Sequence, residues 1–454
     1  MRKIDIETTP RSSLYFCTIP VVLLASALSG IGFVLTNGIA LITGTIVWII
    51  WFCMLFLVAL PATDLRLEKH AARLNRIALA VFIAMAVIGI GQAVVLPALK
   101  TGLLKLEAIG RDTDEVLASF QDSYAYNDAT ALTHQAVNNL LKGENPYDKP
   151  NIVQAIIDFN GSFEKVTPLR MGRFEKIFPY PSPLDLHAVW KTALVHPEKI
   201  PVELESKLNY PAGSFLFPAL LSLIGIDDLR VIYAVFIGIS VIITTWLLPR
   251  RRRFLFLGAF AAALEIANAI ACGETGGLTF AMLLLAWVLL PRRFWVSAVL
   301  LGLAVATKQT AWFYFPYFII YIYSMISRRK VLPVIVITGS IFIAMNFPFF
   351  LNDPELWIRS IFAPMTDPMF PVGVGIITVV TGGLLNIQSS LPFTIMELAV
   401  MAASIIWYAK NCRRYPNTAP ILAVLPLFFA WRSLWPYFYY ANIIMLAGVL
   451  QTRD

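Results

Sequence analysis

Residues 121–147 read QDSYAYNDATALTHQAVNNLLKGENPY, the most patterned piece of a long polar interval in an otherwise apolar chain. Apolar runs flank that interval on both sides, so it leaves a membrane on one face and folds back against the ends of the spans. From Asp128 to Lys142, small or apolar residues at 129, 132, 136 and 140 keep a helical period. Asp128 is placed to cap the start, Gly143 to mark the end, and Pro146 lies just beyond. The stretch therefore predicts an amphipathic helix lying on the membrane face. A second short helix is expected over Ile152 to Asn160, and the proline-rich remainder, 161–209, reads as an ordered loop.

Composition supports the membrane. Of 454 residues, 58% are hydrophobic and only 14% charged, against roughly a quarter charged in soluble domains. Apolar runs near 14–35, 38–60, 77–98, 228–248, 254–271, 276–290, 294–307, 311–327, 331–351, 391–409, 418–431 and 436–450 predict an all-α polytopic protein of about 12 spans. Two further pieces, 212–225 and 373–386, are short and interrupted by Gly or Pro; they read as half-helices lining a cavity, where irregular backbone is tolerated. The reading divides the chain into an N-terminal hairpin with its loop, 1–76, and a larger membrane unit, 77–450, that carries the polar loop 99–210.

The net charge of +8 is spread over short clusters between apolar runs, such as Arg250 to Arg253 and Arg328/Arg329/Lys330. That pattern sets orientation in a membrane rather than a nucleic-acid surface. With the clusters cytoplasmic, residues 99–210, Cys272 to Gly277, Lys308, Asn352 to Pro371 and Arg432 to Tyr437 gather on the outer face. Cys17, Cys53, Cys272 and Cys412 have neither CxxC spacing nor a place in the polar loop, and read as small core residues. The first apolar run lacks a small-residue cleavage site and reads as an anchor. No strand-to-helix glycine pattern for a nucleotide is present.

An acid after an early span, then a helix ending in LLKGENPY, then Tyr210-Pro211 opening an apolar run, resembles the GT-C glycosyltransferases. It is most similar to bacterial polyprenyl-phosphate-sugar-dependent, mannosyltransferase-like members. The stretches ATKQTAWFYFP (306–316), NFPFFLNDPELW (346–357) and WRSLWPYFYY (431–440) add to the likeness over residues 77–450. One departure stands out: many such relatives carry Gly-Gln where this chain has Gly273-Glu274-Thr275. The resemblance implies a multi-span fold of the cell membrane with an extracytoplasmic active site. It also implies a polyprenyl-phosphate-linked sugar donor, inversion at the sugar carbon, a glycan or lipid acceptor, and an aspartate in the first large outer loop as base.

Such a transfer needs a base for the acceptor hydroxyl and donors for the departing phosphate. Asp128 is the candidate base, with capping as its structural role; Asp122 is a second candidate, otherwise a solvated turn residue. Lys308, costly inside a bilayer, is the candidate phosphate ligand with Gln309, the alternative being a snorkelling lysine. Arg432, among Trp431, Trp435, Tyr437, Tyr439 and Tyr440, is placed to grip the phosphate while the aromatics stack on sugar or form an interfacial belt. Glu274, His134, Tyr210 and Tyr437 complete the candidate substrate-binding set. Each has a plainer role as loop carboxylate, packing histidine or structural aromatic. No cofactor is expected, although Asp122, Asp128 and Glu274 are the groups that would gather around a divalent ion. Two rivals share these features: a carrier of lipid-linked sugars, and a polysaccharide polymerase or ligase using a diphosphate-linked donor.

Overall fold

Inside a bilayer every backbone polar group must be paired within the protein, so apolar runs resolve as helices. The computed structural model describes residues 8–100 and 124–451. Among these, six helices are long and apolar enough to cross a membrane: Pro10–Val34, Gly38–Ala59, Ala62–Gly89, Leu229–Leu247, Arg328–Asn352 and Leu391–Asn411. Arg250–Ala261 and Leu264–Cys272 make a seventh if taken together, bent by 57°. Outward faces of the long helices are apolar, with Leu79, Ile242 and Leu332 more than half exposed, as lipid contact requires. The described residues make up a mostly helical, membrane-embedded protein.

The remaining apolar runs are shorter or broken. Gly276–Leu289 and Phe294–Val305 pack against each other, residues 309–326 pass through 3₁₀, α and π turns, and Pro416–Phe429 is part α and part 3₁₀. Gly213–Ser222 has 10 residues, which at 1.5 Å each reach about half the hydrocarbon thickness. The expected second half-helix is not one. Residues 373–386 hold a single helical turn, Thr378–Thr381, because the chain before it is drawn into a strand pair. That pair joins β1 (Val372–Gly373) to β2 (Arg432–Ser433), with Val372 opposite Arg432. Gly373 sits at φ +134°, and a Cβ there would fall 2.1 Å from the Ser433 carbonyl oxygen, so only glycine lets the strands approach.

The N-terminal helices are built into the same core. Thr45 hydrogen-bonds Thr378 (2.6 Å), Tyr15 donates to Asn442 (3.0 Å), and the rings of Trp48 and Phe438 lie 5.7 Å apart. In the first turn of Pro10–Val34, Arg11 is buried and paired with Asp64.

The polar loop is more regular than expected. Its amphipathic helix runs Asp128–Leu141 and closes over Gly143 at φ +80°, and the second is Ile152–Asp158. A third, Pro183–Val195, lies where only ordered loop is expected. Ser182 and Asp185 form its capping box, and Pro183 occupies a first-turn position that needs no N–H donor.

Candidate functional site

The start of the Asp128–Leu141 helix is fixed one residue earlier than expected. Asn127, not Asp128, is the cap: its side-chain oxygen accepts from the Thr130 N–H and hydroxyl, both at 2.9 Å. Asp128 is the first helical residue, so its carboxylate is released from capping and turns to the loop. One oxygen accepts from the Ala129 N–H (2.7 Å) and the other from the Thr167 N–H (2.8 Å). Both oxygens keep lone pairs for a further donor.

Thr167 also meets Arg432. The Arg432 guanidinium donates through Nη2 to the Thr167 hydroxyl (3.4 Å), and its Nη1 is buried with no partner. Carboxylate and guanidinium are thus held by one threonine, and a buried cationic N–H is left over for an acceptor. Tyr180 joins them. Burial pushes its phenol up to about 12, with Arg432 opposing and Asp128 reinforcing the shift, and its ring meets Phe370 edge-on at 5.5 Å.

A second cluster lies one hydrogen bond away. Thr130, two residues into the same helix, donates to the Gly273 carbonyl (2.7 Å), which brings Glu274 alongside. The Lys308 ammonium donates to Glu274 (2.8 Å) and to the Thr275 hydroxyl (2.8 Å), and rests 5.1 Å from the centre of the Tyr210 ring. The other Glu274 oxygen accepts from the Gly276 N–H (2.8 Å) and Tyr440 hydroxyl (3.2 Å). Lys308 therefore does not snorkel outward; it is buried and ion-paired, and Glu274 is no loop carboxylate in water. A cavity of about 30 Å³, enough for a water molecule, is lined by Glu274, Lys308, Thr310, Tyr437 and Tyr440 among others. Tyr437, five residues beyond Arg432 in sequence, lines this cavity with Lys308.

Other candidates fall elsewhere. Gln309 donates to the carbonyls of Asn209 and Ile361, a strut between loops. His134 stacks on Phe159 at 3.9 Å, and burial lowers its basicity; it is a packing residue of its helix. Asp122 lies outside the described residues. Among the described residues, no group of three or more His, Cys, Asp or Glu could hold a metal ion, and the Glu274 carboxylate is taken by Lys308. Asn145 and Tyr147 tie the amphipathic helix to Asn352 and to the Tyr210 carbonyl, each at 2.8 Å.

Thr167 and Tyr180 escape sequence reading altogether, because they lie in a loop without periodicity and act through long-range contacts. Thr275 and Tyr440 stand in motifs already singled out, but nothing local tells that they meet. No family model, curated protein or solved structure matches the chain.

Proposed function

We propose that the protein is a membrane glycosyltransferase that moves one sugar from a polyprenyl-phosphate donor to a glycan or lipid acceptor at the extracytoplasmic face, with inversion. The observation that carries this reading is the pairing on Thr167 of a half-buried carboxylate with a guanidinium whose Nη1 has no partner. Asp128 takes the acceptor hydroxyl proton. Arg432 supplies hydrogen bonds to the departing phosphate. Lys308 contributes charge at short range, while its direct partner is Glu274. In this reading the shorter apolar helices complete a bundle of about 12 crossings, and the half-helix Gly213–Ser222 leaves a side opening for the lipid tail.

A carrier of lipid-linked sugars would share the buried ion pair beside a cavity, so the test must see both outcomes. Purified protein in liposomes is given a polyprenyl-phosphate donor radiolabelled in the sugar, with acceptor lipids outside. Transfer of label to acceptor supports the proposal; movement of intact donor across the bilayer without transfer sinks it. Transfer only from diphosphate-linked glycans would point to the polymerase or ligase instead.

A further inference from the structure

Residues 167–170 are zipped between two other segments. The Leu169 N–H donates to the Glu203 carbonyl (2.8 Å), the Glu205 N–H to the Thr167 carbonyl (2.9 Å) and the Arg170 N–H to the Pro368 carbonyl (2.7 Å). Pro168 faces Leu204, and Leu169 faces Met369, as antiparallel bridges. This clasp holds Thr167, and through it both Asp128 and Arg432.

Three charged side chains close the clasp. Lys207 donates its ammonium to both oxygens of Asp367 (2.7 and 2.6 Å) and its backbone N–H to one oxygen of Glu205 (2.7 Å). Glu205 is only 3% exposed. Its second oxygen is buried without a partner, yet the carboxyl group lies within hydrogen-bonding reach of Asp367. Two carboxylates can only accept, so neither satisfies the other while both are ionised. A proton on Glu205 supplies the missing bond and removes a buried like-charge contact.

The remaining charged groups of the three segments are engaged elsewhere. Glu203 accepts from the Arg173 N–H (2.9 Å), and the Arg170 guanidinium donates to the Gln388 carbonyl (2.9 Å) and covers the Phe178 ring. Burial pushes the Glu205 carboxyl up to about 7, against the Lys207 N–H and with the Asp367 charge.

We propose that Glu205 and Asp367 share one proton as a carboxyl/carboxylate pair, and that this proton closes the clasp positioning Asp128 and Arg432. Closing takes up a proton, because an opened Glu205 has the ordinary value of 4.5. The closed state is therefore firmest below that value, loosens as the pH rises, and changes no further above about 7. Glu205 and Asp367 act as positioning residues, and the clasp exists whatever the site does. Its effect on transfer alone rests on the glycosyltransferase reading.

The test is hydrogen exchange of the full-length protein in lipid nanodiscs, read at the Leu169, Arg170 and Glu205 amides and corrected for intrinsic pH dependence. In the wild type, opening should increase by roughly tenfold per pH unit between about pH 5 and 7. Glu205→Gln should flatten that slope, because its carboxamide donates to Asp367 and accepts from Lys207 at every pH. Asp367→Asn should keep a slope, because Glu205 is still buried, but move it to lower pH, since the neighbouring charge is gone and the carboxamide can donate to an ionised Glu205. A flat wild-type profile, a slope unchanged in Glu205→Gln, or a pH range unmoved in Asp367→Asn overturns the proposal. Transfer assays then separate the two ideas: a normal exchange slope with no transfer at any pH rejects only the functional reading.

Discussion

Asp128 and Arg432 meet on Thr167 although 304 positions of sequence separate the two, and that meeting could not be read locally. The Asp128 candidate itself was legible, because an acid at the front of an amphipathic helix is a short-range pattern. Its capping role was misplaced by one residue, since Asn and Asp cap comparably and stand side by side here. Asp128→Asn should keep the fold and lower transfer by about 10²–10⁴-fold, as measured by steady-state rates with a fixed acceptor. Arg432→Met should weaken donor binding by about 1.5–3 kcal/mol, with Arg432→Lys intermediate because a point charge replaces a fork; equal affinities in equilibrium titrations with the lipid donor would argue against phosphate contact. The Glu274/Lys308 pair makes a different prediction. Glu274→Leu alone leaves a buried cation unpaired and should cost about 3–5 kcal/mol, whereas Glu274→Leu with Lys308→Met should recover most of that loss. Thermal unfolding of the three proteins in detergent checks this, and a double variant no better than the single would mean that the pair is not a closed structural unit.

At the scale of elements, helical periodicity and length gave the amphipathic helix and the half-helix at Gly213–Ser222, but hydropathy is blind to breaks. Residues 254–271 read as one span, yet the chain bends at Ala262 and Ala263, neither of which is a breaker by composition. The helix Pro183–Val195 was hidden by the prolines around it, even though Ser182-Pro183-Leu184-Asp185 carries the signature of a capping box. Ser182→Ala should destabilise that helix by about 1 kcal/mol, visible as faster amide exchange confined to residues 183–195. The hairpin of Pro10–Val34 and Gly38–Ala59 depends on close approach: a Cβ on Gly44 would lie 2.7 Å from the Ser29 hydroxyl oxygen. Gly44→Val should force the helices apart and cost about 1–3 kcal/mol, lowering the unfolding midpoint in detergent; an unchanged midpoint would show the interface to be plastic.

Over the whole molecule, composition settles membrane embedding, because a chain this apolar exposes Leu, Ile and Val on its outer faces. The proposed orientation, with the basic clusters inside and the polar loop outside, is open to direct test. Lys191 and Arg329, both exposed, provide a check in a cysteine-free background: an impermeant maleimide added to intact cells should label Lys191→Cys and spare Arg329→Cys. Assembly of the site from the loop, the Gly273 turn and the Arg432 strand is a property of the fold as a whole, which is why its parts were separately visible and their union was not. The most direct measurement of the central claim is sugar transfer by wild-type protein and Asp128→Asn in the same liposomes, with donor binding measured alongside. The account predicts transfer by the wild type, and donor binding without transfer by the variant. Undiminished transfer by a normally folded Asp128→Asn protein would contradict it.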